Sequence, residues 1–257
     1  MSWRGALHPS LPVRRFDQVR CAIMQPTFLP WAGYFRLMLE VDRFVYLDDV
    51  NLSQGRSWQT RNRILVNKKP QWVTAPVLHI GGPQRLKDVR LSPDPRWRRK
   101  IVQTFRLNYS RHEFRADVEP AWIIIEQGAD TNLVELNVRL IELFAKHLRI
   151  ETPRVRSGDL AIGIADRTDR LIAICRSLDC GGYLSPRGSE SYLAEDGFSS
   201  RCDISLEFTD YRQPPYAQRG IREFISHLSI VDVVANLGWE QAAQYIRADW
   251  RLRENVS

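Results

Sequence analysis

The stretch between residues 20 and 50 constrains this chain most. Cys21-Ala22-Ile23-Met24 is a short apolar run cut off by Gln25-Pro26. A run that short, ending in a proline loop, reads as a buried strand entering a turn. Trp31, Tyr34, Phe35, Leu37, Met38 and Val41 then recur near helical spacing. Phe44-Val45-Tyr46-Leu47 is a second β-rich run, closed by Asp48-Asp49. Strand, loop, helix and strand within about thirty residues have the dimensions of a βαβ unit.

The rest of the chain keeps the alternation. Ile64-Leu65-Val66, Trp72-Val73-Thr74 and Pro76-Val77-Leu78 read as short strands, with a turn at 67–70. Trp97, Ile101, Phe105 and Tyr109 fall four apart and predict a helix with an apolar stripe. A helix is expected over 131–148, capped by Asp130 or Thr131. A strand is expected over 155–160. A helix through Leu171, Ile174, Cys175 and Leu178, capped by Asp166 or Thr168, should end at Gly181-Gly182. A strand or loop beginning at 183–185 and a strand at 204–208 follow, then short helices over 221–227, 230–237 and 239–247. This alternation argues for an α/β fold with a largely parallel sheet and flanking helices. The organisation expected is an N-terminal arm over 1–19, a single domain over 20–247 with a tolerable sub-boundary near 129, and a tail over 248–257.

Composition closes off several classes. Hydrophobic residues make up 44% of the 257 and charged residues 26%, which excludes a disordered or low-complexity chain. No apolar run approaches the ~18 residues of a membrane span. No apolar stretch follows Arg14 and Arg15 before Cys21, so no secretory signal is read and the cytoplasm is the expected compartment. Cys21, Cys175, Cys180 and Cys202 form no CxxC pair and are expected as free thiols. The five histidines show no metal-ligand spacing. The net charge of +7 favours anionic partners.

In parallel sheets ligands sit beyond the carboxyl ends of the strands. Gln25-Pro26, Asp48-Asp49 and Ser185 all follow candidate strands and are therefore candidates. In the loop from Gln25 to Tyr34, prolines fix the shape and Gly33 is expected to let backbone approach a ligand. Adjacent Asp48 and Asp49 suit a general base or a divalent cation, although neighbours on a strand point to opposite sides. Arg61 and Arg63, flanking Asn62, suit bidentate contacts to phosphate. The loop Ser185-Pro186-Arg187-Gly188-Ser189, leading to Tyr192, suits an anion before a short helix. The stretch 85–115 is strongly basic and is a candidate nucleic-acid face, without any RNP, KH or zinc-finger pattern.

The segments AIMQPTFLPWAGYFRLM, VDRFVYLDDVNLSQGRSWQTRNRIL, KPQWVTAPV, TDRLIAICRSLDCGGYLSPRGSESYL and LSIVDVVANLG resemble the WbqC-like family, in order and spacing, from about Cys21 to Gly238. The resemblance implies a transferase working on activated sugars or similar substrates in surface-polysaccharide or natural-product biosynthesis. The family pattern falls on Gln25, Pro26, Pro30, Gly33, Tyr34, Asp48, Asp49, Arg61, Asn62, Arg63, Asp169, Arg170, Tyr183, Leu184, Ser185, Gly188, Tyr192, Ser229, Asp232 and Asn236. The family often has glycine where this chain has Pro186, so no anion site uses an amide at that position. A fainter likeness links the opening unit to nucleotidylyltransferases of the HIGH type. It implies a Rossmann-like, HUP-like core, but the two loop histidines of that mechanism are absent.

The expected activity is group or acyl transfer to a nucleotide-linked amino sugar or comparable amine. Asp48 or Asp49 is the expected base. Arg61, Arg63 and Arg170 are expected on phosphates, with Asp169 aligning Arg170. Gln25, Asn62, Ser185 and Tyr192 are expected to orient the substrate, and Asp232 to cap its helix. The rivals are aminoacyl (for example glycyl) transfer from a tRNA partner and a non-catalytic sugar-nucleotide-binding role. No cofactor is evident, and a divalent metal is left open, as is the oligomeric state.

Overall fold

The computed structural model describes residues 18–53, 55, 57–78, 81–163 and 167–248. Most of the expected N-terminal arm, Asp166 as a helix cap and the tail beyond 248 lie outside these residues.

The opening unit forms as β1 (Arg20–Met24), α1 (Ala32–Leu39) and β2 (Arg43–Tyr46). An antiparallel hairpin follows, β3 (Arg61–Val66) and β4 (Lys69–Thr74). Its two-residue turn, Asn67-Lys68, has φ of 51° and 63°, the primed geometry that matches strand twist. Three helices come next: α2 (Arg96–Tyr109), α3 (Arg115–Gln127) and α4 (Leu133–His147). The chain continues through β5 (Arg154–Arg156), α5 (Arg167–Ser177), β6 (Gly182–Pro186), α6 (Glu190–Glu195), α7 (Phe198–Arg201), β7 (Ser205–Thr209) and α8 (Ile230–Arg247).

Strands β1, β2, β5, β6 and β7 make one sheet in the order β5-β2-β1-β6-β7, with every neighbouring pair parallel. The chain winds outward from β1 to β5, returns, and winds outward again through β6 to β7. This is the Rossmann-like α/β order, and the reversal falls between β1 and β6. Alternate strand residues serve the two faces. Ala22, Phe44, Tyr46 and Leu184 join a large apolar cluster with α1, α2, α3, α4 and α8. Cys21, Ile23, Val45 and Tyr183 join a smaller one with α5, α6 and α7. Cys21, Cys175 and Cys180 are buried free thiols and Cys202 is half-buried.

Several local expectations are corrected. Pro76-Val77-Leu78 makes only a single bridge, Val77 to Leu91, because Pro76 has no N–H for a ladder. The 155–160 stretch is the end of β5 followed by a 3-10 turn at Ser157–Asp159. Asn132, not Asp130 or Thr131, caps α4: its Oδ1 accepts from Val134 N at 2.8 Å and Glu135 N at 3.3 Å. Thr168 lies inside α5, and its hydroxyl donates to Asp196 Oδ2 at 2.8 Å. Residues 221–227 are not helical. There the Gln218 side chain takes both the N–H and the C=O of Ile225, removing them from any helical ladder. The helices expected over 230–237 and 239–247 are one run broken at Gly238, at φ 73°. A Cβ at Gly238 would lie 2.6 Å from the Phe114 ring. Sequence periodicity gave no helix over α3, since Pro120 interrupts the pattern. The helix forms because Val118, Ala121, Trp122 and Ile125 are buried, with Trp122 stacked on Phe105 at 3.7 Å between ring centroids.

Candidate functional site

A parallel sheet ends all its strands at one edge. Here that edge carries Gln25 after β1, Asp48 and Asp49 after β2, Ser157 and Gly158 after β5, and the 187–189 turn after β6. The register sets Met24 beside Tyr46 and Tyr46 beside Arg156, so the first three of these lie in a row.

The carboxylate pair is built by the β5 neighbour. Asp48 is 3% exposed. Its Oδ1 accepts from Gly158 N at 2.9 Å, and its own N donates to Ser157 Oγ at 3.2 Å. The Ser157 hydroxyl has one proton and two carboxylates in reach, Asp49 Oδ1 at 2.5 Å and Asp48 Oδ1 at 3.2 Å. Burial pushes the Asp48 carboxyl above its ordinary pKa; the Gly158 and Ser157 hydrogen bonds oppose that shift. The other oxygen of Asp49 is held by Arg170 on α5. The two carboxylates therefore differ in setting: Asp49 is an ion-pair member and Asp48 a buried carboxyl that holds a proton more readily than a free one.

Helix α5 extends the row toward β6. Arg167 lies one turn before Arg170, and its guanidinium stands 5.3 Å from the centre of the Tyr192 ring on α6. The first turn of α5 thus connects the Asp49 carboxylate to Tyr192. Asp169 pairs with Arg201.

The residues after β1 have a mainly structural role. Asn62 is 1% exposed, and its Nδ2 donates to Leu29 O at 2.7 Å and Phe28 O at 3.3 Å. Asn137 on α4 does the same for Pro26 O at 3.0 Å and Gln59 O at 2.8 Å. Between them they clamp the loop and hold Leu29 at φ 46°. Tyr34 donates to Gln25 O at 3.3 Å from within the core. Gln25 accepts from Gln59 Nε2. Gly33 makes room for a neighbour: a Cβ there would lie 2.2 Å from the Trp31 ring. Trp31 itself packs on His227, with 4.5 Å between centroids.

Ser185 is fully buried and closes on its own loop, to Ser189 Oγ at 2.9 Å and Tyr183 OH at 3.1 Å. Gly188 is exposed. Arg61 and Arg63 stand on β3, outside the parallel sheet. The Arg61 guanidinium covers the Trp72 ring at 4.0 Å, and Arg63 donates to Ser226 O at 3.1 Å and His227 O at 3.3 Å. Asp232 does not cap α8, which Ser229 does. It is a buried acceptor for Tyr216 OH at 2.6 Å, Tyr109 OH at 3.0 Å and Gln218 Nε2 at 3.2 Å. In the basic stretch, Arg98 is turned inward to Ile125 O and Asp130 O, and Arg106 pairs with Glu119 and Glu126. Arg99, Lys100 and Arg111 are exposed.

Sequence reading missed Ser157, Gly158, Arg167 and Asn137. Ser157 and Gly158 were findable, because they follow an expected strand on the edge already singled out. Arg167 precedes Arg170 by one helical turn, a spacing visible in DRTDR. Nothing local marks Asn137. Among the described residues, no group of three or more His, Cys, Asp or Glu side chains gathers to hold a metal. No helix among them is long and apolar enough to cross a membrane.

The sequence is 30% identical over 235 residues to a protein of Mycobacterium tuberculosis (strain ATCC 25618 / H37Rv) named "Uncharacterized protein Rv1507c", covering 89% of this chain and 97% of that one. No solved structure matches. The profile of the WbqC-like protein family matches residues 25–244, a span that takes in the β1 loop, the carboxylate pair, α5 and the Tyr192 helix, and the chain belongs to that family.

Proposed function

We propose that this protein is a transferase that moves an acyl group, aminoacyl groups included, from an activated ester or thioester to the amine of a nucleotide-linked amino sugar or comparable substrate. The biosynthesis of surface polysaccharides or natural products is its setting. The observation that carries the reading is the split carboxylate pair at the carboxyl edge, one strand away from the point where the strand order reverses.

The amine nitrogen attacks the acyl carbon, forming a C–N bond, while the bond to the ester oxygen or thioester sulfur breaks and that atom leaves with the electron pair. The nitrogen must lose a proton as the bond forms. Asp48 is the acceptor, because burial raises its proton affinity toward that of a useful base. Ser157 and Gly158 fix its orientation. Asp49 holds Arg170 at the edge, where the guanidinium faces an anionic substrate with part of its donor set. Tyr192 and Arg167 border the same edge on the β6 side.

Asp48→Asn is the direct test, since an amide oxygen still accepts from Gly158 N and Ser157. Folding should be kept, nucleotide-sugar binding should be kept in a thermal-shift assay, and turnover should fall by at least ~100-fold, the usual size of a lost general base. Assays run with and without added divalent cation separate a metal requirement from the carboxylate. Unchanged turnover rejects the assignment. Ligand binding with no turnover in any variant or in the parent chain favours a binding role over catalysis.

A further inference from the structure

Beside the β3–β4 hairpin lies a cavity of about 550 Å³. Ser57, Thr60, Arg61 and Gln84 give it polar lining, and Leu52 and Val77 an apolar wall. The carboxylate pair, Arg170 and Ser185 are not among its lining residues. Among the described lining residues none is acidic, and Arg61 carries the formal charge.

Two polar groups on this lining are buried and have no partner among the described residues. Ser57 is 6% exposed and its Oγ makes no hydrogen bond; neither does the buried Nε of Arg61. Buried donors left open like this are uncommon in folded proteins and call for a guest that supplies acceptors. The Arg61 guanidinium is already held flat, 4.0 Å from the Trp72 ring centre, so little side-chain freedom is lost when an anion arrives. Trp58, next to Ser57 in the chain, is 45% exposed, and Trp72 is 43% exposed, with 5.1 Å between the two rings. Neither ring lines the cavity; its apolar side is Leu52, Pro76 and Val77, a wall that suits the C–H face of a sugar. The volume sits in the range of small-molecule sites and far exceeds the needs of a bare anion.

We propose that this cavity binds a phosphorylated sugar ring, its phosphate on Arg61 and Ser57 and its ring against the apolar wall of Leu52 and Val77. The site goes beyond the reading above, because it uses none of the edge residues and stands on its own lining. The ring is either the ribose of a nucleotide or a hexose phosphate, and the probes tell them apart.

Isothermal titration of the full chain with uridine monophosphate, glucose 1-phosphate, glucose and inorganic phosphate tests it. At least one sugar phosphate should bind roughly tenfold or more tightly than either glucose or phosphate alone. Arg61→Gln should weaken that binding roughly 10- to 100-fold, and Ser57→Ala roughly three- to tenfold, the losses expected for charge-assisted and neutral hydrogen bonds. Ser57→Ala removes one atom from an unpartnered group, so it keeps the result readable if Arg61→Gln fails to fold. Arg99→Ala, at an exposed α2 residue that does not line the cavity, should change nothing. The preferred probe identifies ribose or hexose. Inorganic phosphate binding as tightly as the sugar phosphates overturns the ring assignment. Absence of binding by any sugar phosphate at millimolar concentration, or affinity untouched by both cavity variants, overturns the site.

Discussion

Replacing Asn62 with alanine distinguishes a scaffold role from a substrate-contact role. The side chain is 1% exposed and makes three hydrogen bonds: to Leu29 O at 2.7 Å, to Phe28 O at 3.3 Å, and from Arg63 N at 2.8 Å. Truncation leaves two carbonyls in the core without donors. Each buried polar group stripped of its partner costs about 1–3 kcal/mol. The Arg63 amide is half-buried and recovers water, so the carbonyls dominate and the total is about 2–6 kcal/mol. The clamp also holds Leu29 in its left-handed conformation, which a non-glycine residue adopts only at a cost of roughly 1–2 kcal/mol. For a chain of this length the loss lowers Tm by roughly 5–20 °C. Urea unfolding followed by tryptophan fluorescence should show a lower midpoint with an unchanged slope. Asn62→Asp keeps the size and the acceptor but turns a second oxygen toward the two carbonyls, so it should cost at least as much. A loss below about 1 kcal/mol together with abolished ligand binding would refute the clamp and return Asn62 to the substrate.

Two further predictions follow from buried charges. The Asp48 carboxyl is held above its usual value of 3.8, chiefly by burial. The unfolded chain therefore ionises it first, and its stabilising contribution is whole below that usual value and lost as pH rises through the folded one. The stability of the parent chain minus that of Asp48→Asn should fall across this window in urea titrations; a flat difference from about pH 3 to about pH 7 contradicts it. Arg98→Ala should cost about 2–5 kcal/mol in thermal unfolding, since two carbonyls, Ile125 O at 3.0 Å and Asp130 O at 2.5 Å, lose a charged donor. Arg99→Ala, one residue along and exposed, should stay within about 0.5 kcal/mol, and equal losses would mean that Arg98 faces solvent.

The fold was legible because its signals are local. The run from Cys21 to Leu47 carries strand, helix and strand periods within reach of one reading window. The parallel sheet follows from the same alternation; its strand order, and the exclusion of β3 and β4 from it, do not. The site was less legible because residue type does not say what a side chain faces. Asn62 and Ser185 have the chemistry of substrate contacts, yet Asn62 is spent on loop carbonyls 33 and 34 residues away and Ser185 on hydroxyls of its own turn. Gly33 looked like room for a ligand and is room for Trp31. Asp169 and Arg170 are neighbours in sequence, but a helix turns them about 100° apart, so they pair with different partners. Arg98 lies in a basic run whose average says surface, while its own position on α2 points inward.

The central strand β1 pairs through Cys21 with Tyr183, and the apolar cluster under α1 is completed by Ile230, Val234 and Ile246 of α8. Contacts of such sequence separation are the slow ones to form. While the chain is still emerging from a ribosome, the opening unit has no partner for one side of its first strand and no lid for its helix. The apolar surface made first is the surface covered last. Synthesis must run nearly to Ile246 before that core can close, and until then chaperone capture competes with self-association for the exposed face.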